Sequence, residues 1–315
     1  LHFTYYLPQN KFNIFGNNVS YLAHFSRDKY LKSGTSKFDV WHTTTQISWY
    51  KPFNKKTKRL FTIHDLNFLI EEKENVRRNK RLLLEIQKRI DSSHFLTAIS
   101  NNALQTAKQH LNFRDIPTSV VYNGSDLKEF PEHITPIYNP HKPFLFSIGT
   151  VQRRKNFHVL MPLLEGNDYE LVIAGNNNFE YKNMVLDAAR LFHVEGRVKL
   201  IGVVSDEDKY WYYNNCLAFV FPSIAEGFGL PIIEAMQLGK PVFLSKQTCL
   251  PEIGGDVAYY FPNFEKESMK TIFNDSMHDY IARNRKNVII ERAKRFSWTN
   301  TAKKYTEIYK KLLNG

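Results

Sequence analysis

From residue 144 to residue 261 the sequence keeps up one alternation, and that alternation leaves few folds open. Short apolar runs stand at 144–150, 169–175, 198–204, 216–223, 241–245 and 257–261. Each is too short and too rich in β-formers for a helix, and most end at or beside Gly, Ser or Pro. Helix-like stretches near 156–165, 180–193, 206–215 and 231–238 lie between them. Runs apolar on both faces, alternating with helices, require a parallel sheet covered on both sides. The expected class is α/β, doubly wound, with a ligand at the carboxyl ends of the strands.

The first half repeats the pattern less completely. Runs at 2–7, 39–45, 60–65, 95–100 and 119–123 read as strands; 75–91 and 101–111 read as helices, the second capped by Ser100. At about 150 residues per domain, 315 residues make two domains. The boundary is expected within 137–143, where Pro140 and Pro143 stand among polar neighbours. The division is therefore 1–139, 140–298, and a C-terminal helix at 299–315 that crosses back to the first domain. Phe296-Ser297-Trp298 reads as a break between two helices in the basic segment 283–313.

The strongest chemical signal runs from Phe221 to Met236. A strand ends at Ser223, a glycine-bearing loop follows, and Pro231 stands where the first helical position should be. Gly239 and Pro241 end that helix. Gly227 and Gly229 let backbone approach a ligand, and the helix start aims free N–H groups at the same spot. Glu226 and Glu234 can then accept hydrogen bonds from sugar hydroxyls; the bland alternative is a cap and a surface glutamate. A second constellation, Gly149 to Asn156, follows the first strand of the second domain and carries Arg154 and Lys155. Arg offers bidentate phosphate contacts and Lys a point charge; the alternative is a solvated basic turn. His64 ends a strand in the first half and suits a polar or acid–base contact facing the other domain, the alternative being a hydrogen-bonded structural histidine, and His42 has the same placement with a weaker case. Asp206-Glu207-Asp208 has the spacing of a divalent-cation pair, but after Ser205 it reads better as the acidic first turn of a helix.

Composition narrows the function classes. Cys216 and Cys249 are the only cysteines, too few for a disulfide framework or a multi-cysteine metal site, and read as buried thiols of a reducing compartment. No apolar run approaches the ~20 residues of a transmembrane helix, and no signal peptide is visible. The formal charge is +12, and residues 1–139 hold 20 Lys/Arg against 12 Asp/Glu. Such a surface is either a plain solubility charge or one suited to nucleic acid, an anionic membrane or a phosphorylated acceptor.

Taken together the chain resembles a family-4 retaining glycosyltransferase of the GT-B fold, of the bacterial mannosyltransferase-like, cell-surface polysaccharide type. The glutamates Glu226 and Glu234 around Gly-Phe-Gly-Leu-Pro match its signature, as do the Gly-Thr…Arg-Lys-Asn turn, Thr62-Ile63-His64-Asp65-Leu66, Tyr122-Asn123-Gly124-Ser125-Asp126 and the Phe-Ser-Trp segment. The resemblance covers nearly the whole chain. It implies two Rossmann-like domains facing each other across a cleft, and a hexose, with a lean to mannose, moved from a nucleotide-diphosphate sugar. It implies retained anomeric configuration and no metal or other cofactor. Glu234 would hold the ribose; Glu226 and the amides of Gly227, Phe228, Gly229 and Leu230 the sugar and phosphate; Gly149, Gly175 and Val203 complete the donor side. Arg154 and Lys155 would stabilise the departing diphosphate, and His64 would touch the sugar near the reacting centre. One departure stands out. The chain opens at Leu1 and with what reads as the second strand, so either the natural protein is longer or the family's first strand and glycine-rich loop are absent.

The acceptor is expected on the first domain, as a glycan or lipid-linked anionic glycan. Residues 75–91 carry Arg77, Arg78, Lys80, Arg81, Lys88 and Arg89, and 51–59 adds five cations beside Trp49, Tyr50 and Phe53. This edge suits an anionic membrane, with the protein in the cytoplasm at the inner face of the cell membrane. A non-catalytic relative that binds a sugar or a partner is the alternative. Nucleic acid is not an expected partner, since no helix-turn-helix, RNA-recognition or zinc-finger pattern occurs. A dinucleotide dehydrogenase is weaker still, since no G-x-G-x-x-G follows a strand.

Overall fold

The computed structural model describes residues 1–29, 37–48, 50–131, 135–176 and 179–314; Trp49 lies outside them. Strands β1 (Thr4–Leu7) and β2 (Ser20–Ala23) form a parallel pair, Thr4 opposite Ser20. Strand β2 is absent from the sequence reading, because Ser-Tyr-Leu-Ala is short and sits among polar residues. Strands β3 (Val40–Thr43), β4 (Lys58–Ile63), β5 (Phe95–Ala98) and β6 (Thr118–Val120) form a parallel sheet in sequential order. The third sheet holds β7 (Phe144–Ile148), β8 (Glu170–Ala174), β9 (Val198–Gly202), β10 (Ala218–Phe221), β11 (Val242–Ser245) and β12 (Tyr259–Phe261), in the order β12-β11-β10-β7-β8-β9. Its order reverses between β7 and β10, and a doubly wound sheet opens a crevice at such a reversal, beyond the carboxyl ends of the strands.

The third sheet buries both faces. Phe146, Val172, Phe219 and Leu244 pack on Tyr212, Tyr213, Ile232 and Met236. Leu145, Leu171, Val220 and Phe243 point the other way, onto Phe157, Leu160, Val185 and Phe273. The period of two along each strand makes this division. Helices α1 (Phe68–Glu71), α2 (Val76–Asp91) and α3 (Asn101–His110) belong to the first half. Helices α4 (Phe179–Leu191), α5 (Asp206–Asn215), α6 (Leu230–Gln237) and α7 (Leu250–Gly254) follow between strands, and α8 (Lys266–Ala282), α9 (Lys286–Ala293) and α10 (Trp298–Asn314) close the chain. Two readings of helices need correction. Around 156–165 the chain winds as a 3-10 segment, Phe157–Leu164, with Pro162 inside it. Helix α6 starts one residue sooner than expected, so Pro231 occupies its second position. Its end is as read: Gly239, at φ 69°, sends its N–H to Met236 O and Lys240 sends its own to Ala235 O, a Schellman closure.

On the second sheet, Phe61, Ile63, Leu96 and Ala98 pack on Ile86 and Ile90 of α2 and on Ala103, Leu104 and Ala107 of α3. The other face, with Leu60, Phe95 and Val121, is covered by Ile308 and Leu312 of α10. The break at 296–298 lets α10 reach it, and the chain passes so close to Gly124 that a Cβ there would lie 2.1 Å from Trp298 N. Among the described residues no helix is long and apolar enough to cross a membrane.

His42 also belongs to this α10 face, which corrects its reading as a lesser companion of His64. Its Nδ1 lies 2.7 Å from Tyr309 Oη and its Nε2 2.7 Å from Thr62 Oγ1. Burial pushes its imidazole down to about 3, with His64 adding a smaller push. The folded value is below the unfolded one, so the unfolded chain binds more protons between about pH 3 and 6.5. Stability held by this site is complete above that window and falls with pH inside it, by up to about 1.4 kcal/mol per unit. Denaturant unfolding at pH 5, 6 and 7 should show a shallower loss in His42→Asn than in the native chain; equal slopes would count against a neutral His42.

Candidate functional site

The crevice beyond β7 and β10 is built from the two motifs singled out in the sequence. After β7 the backbone turns at Gly149, at φ 147°, where a Cβ would lie 2.9 Å from Lys155 Cε; the glycine opens the path that the lysine stem takes. Gly175 closes on this turn from β8, its would-be Cβ 2.1 Å from Gly149 O. Lys155 is 5% exposed. Its Nζ donates to Glu226 Oε1 at 2.6 Å and stands 4.6 Å from the Phe221 ring centroid. Burial pushes its ammonium below the usual range, and the Glu226 carboxylate opposes that push. Arg154 reaches the same oxygen with Nη1 at 3.2 Å, donates to Ala225 O at 3.0 Å, and pairs through Nε with Glu71 Oε1 at 3.2 Å. The Ile224 N–H donates to Arg154 O at 2.8 Å, tying the basic turn to the loop after β10.

That loop is pinned from both halves. Glu226 donates its N–H to Thr248 Oγ1 and accepts at its carbonyl from Cys249 Sγ, which keeps this thiol buried and structural. A Cβ on Gly227 would meet Asp65 Oδ2 at 2.8 Å and His64 O at 3.1 Å, so the first half abuts the loop here. Ser100 caps α3 by accepting from the Ala103 N–H, and its hydroxyl donates to Gly227 O, both at 3.0 Å. Glu252, on α7, accepts from the N–H groups of Asn101 at 2.7 Å and Asn102 at 3.0 Å. Gly229, at φ 96°, precedes α6, whose first residue Leu230 is partly exposed. The Phe228 ring leaves the crevice and packs on Tyr122 and Phe296, so only its backbone faces a ligand site. A cavity of about 130 Å³ lies between the halves, with Asp65, Asn67, Asn102, Thr106, Glu226 and Thr248 in its wall.

The remaining candidates are placed apart from this charge cluster. Glu234, at the start of the second turn of α6, accepts from Tyr213 Oη at 2.8 Å and pairs with Lys209 Nζ at 3.2 Å. His64 has Nε2 2.6 Å from Thr44 O of its own half; as a carbonyl only accepts, Nε2 carries the proton. Val203 stands 72% exposed beyond β9, at the sheet's edge. Ser205 caps α5, bonded both to the Asp208 N–H and to its carboxylate at 3.0 Å, while Asp206 pairs with Lys209 at 3.2 Å, so this acidic trio sits as a helix start. On α2, Ile86 and Ile90 are buried and Leu83 packs beside them. Beside β3 and the first half of β4 a second cavity, about 450 Å³, is lined by Trp41, Tyr50, Lys51, Arg59, Lys88 and Arg89 among others.

Glu71, Lys209, Tyr213, Thr248 and Glu252 were not picked out from sequence. Lys209 and Tyr213 are four apart on α5 and so share a face, a signal that becomes legible only once α6 is known to lie beside them.

The model of the glycosyl transferases group 1 matches residues 133–296 of the chain. The O-antigen chain mannosyltransferase B of Escherichia coli is 26% identical over 84% of this chain and 73% of its own length. Among solved structures, a sucrose-phosphate synthase of Thermosynechococcus elongatus superposes with a TM-score of 0.73 at 20% identity, covering 88% of this chain and 74% of the other. Anabaena HepE, solved in complex with UDP and glucose, gives 0.69 at 16% identity, covering 93% and 87%. At these identities the structural matches speak for the fold.

Proposed function

The chain belongs to the glycosyl transferases group 1, and we propose on that footing that it moves a hexose, mannose before others, from a nucleotide-diphosphate sugar to a glycan or lipid-linked glycan in cell-surface polysaccharide assembly. The observation that carries this is the meeting of Arg154, Lys155 and Glu226 at two neighbouring strand ends, beside the first amides of α6. The reaction retains anomeric configuration and uses no metal: the two cations and the helix start take the charge that grows on the diphosphate as the glycosidic bond breaks. Glu226 holds the sugar; both cations meet its Oε1, and Oε2 has no hydrogen-bond partner among the described residues. Glu234 holds the ribose, oriented by Tyr213 and Lys209. Gly149 and Gly175 shape the phosphate turn, Val203 borders the base, and His64 meets the sugar from the first domain.

That the Escherichia coli relative is a mannosyltransferase supports mannose, and the UDP and glucose in HepE support a nucleotide-sugar donor. In this reading residues 1–139 form the acceptor side, 140–298 the donor side, and 299–315 a helix returning to the first. The cations on α2 and around the 450 Å³ cavity suit an anionic acceptor or membrane on the cytoplasmic side.

Calorimetric titration of UDP, GDP and dTDP tests the reading. One nucleotide should bind best, and Glu234→Ala should weaken it about tenfold, or about 1.4 kcal/mol. Failure of all three to bind would sink the donor site.

A further inference from the structure

Two cations face two carboxylates in the crevice, Arg154 and Lys155 against Glu226 and Glu71, and their charges cancel. A diphosphate entering the same space brings anionic oxygens that need those cations. One carboxylate is then the group to yield, because a diphosphate beside both carboxylates adds like-charge repulsion that the two cations no longer balance. Glu226 is the poorer candidate. Its side chain is 10% exposed, it takes both cations through one oxygen, and its backbone is pinned by Thr248 and Cys249.

Glu71 is the better one. It ends a four-residue helix, its side chain is 34% exposed, and among the described residues its one ion pair is with Arg154 Nε at 3.2 Å. Burial pushes its carboxyl above the usual range against the pull of Arg154, and the carboxylates of Asp65, Glu226 and Glu72 push the same way. It also stands on the first half, whereas Arg154 stands on the second, so the pair spans the cleft.

We infer that Glu71 is a positioning residue that competes with the donor's diphosphate for Arg154. It holds the guanidinium beside Glu226, releases it when the diphosphate arrives, and takes it back as the diphosphate product leaves. The inference rests on the donor reading above and adds a residue to it: Glu71 weakens donor and product binding and helps turnover by letting product go.

Inorganic pyrophosphate is the probe, because it carries the charge without a base. In Glu71→Gln it should bind five- to tenfold more tightly than in the native chain. In an Arg154→Gln background the same change should alter affinity less than twofold, which a merely structural role for Glu71 would not produce. Glu71→Asp, which keeps the charge, should stay near the native value, and thermal unfolding of each variant confirms the fold. Unchanged or weaker pyrophosphate binding in Glu71→Gln overturns the competition while leaving the donor site intact. Native binding that is indifferent to Arg154→Gln removes the diphosphate from Arg154, and the competition falls with it. The nucleoside diphosphate titration with Glu234→Ala judges the donor site separately.

Discussion

Lys155→Met should slow turnover at saturating nucleotide sugar by about 10- to 100-fold. A charge-assisted contact that strengthens in the transition state contributes roughly 1.5–3 kcal/mol, and each 1.4 kcal/mol is tenfold in rate. Lys155 is the most buried cation of the crevice and lies closest to Glu226, so its loss acts where water cannot substitute. Removing one member of a buried pair commonly costs about 3–5 kcal/mol of stability. Here Arg154 still meets Glu226 Oε1, and the loss should be smaller. Initial rates at saturating donor, taken with thermal unfolding of the same sample, separate the two effects. A folded variant with native turnover would take Lys155 out of the chemistry.

Gly175→Ala carries the second large effect, on stability. The residue has φ 135°, a region that L side chains rarely adopt, and its new methyl would lie 2.1 Å from Gly149 O and 2.6 Å from Gly149 C. The obstacle is the backbone of the turn just past β7, so no side chain can move aside. Overpacking and backbone strain together should cost about 3 kcal/mol or more, read as a lower denaturant midpoint. Turnover should fall as well, because Gly149 opens the turn that carries Arg154 and Lys155. A variant as stable as the native chain would show that the two strand ends can part without loss.

Much of the second domain was legible in the sequence because each strand reports itself twice, by apolar faces and by the glycine or serine that ends it. All six runs between 144 and 261 became strands of one sheet, each shorter than read: β7 and β9 at the carboxyl end, β11 and β12 at the amino end, β8 and β10 at both. The first half was harder. Strand β2 has four half-buried residues and no turn signal, and His42 at a strand end could not be told from His64 until α10 was seen to cover its face. The site split in the same way. Arg154, Lys155 and Glu226 announced themselves through glycine-flanked turns at strand ends. Glu71 and Glu252 did not, because a glutamate on a short helix, outside any glycine-flanked turn, has no local mark, and what it meets lies more than 80 residues away.

The two hydrogen bonds from the start of α3 to Glu252 have one more implication. The first N–H groups of a helix have no partner within it, and α3 finds two of them on the opposite side of the cleft. Fraying of α3 and parting of the two halves are therefore one event in thermodynamic terms. Whatever draws the halves together also tightens the helix behind the second sheet, and a domain rotation is felt in the secondary structure of its neighbour.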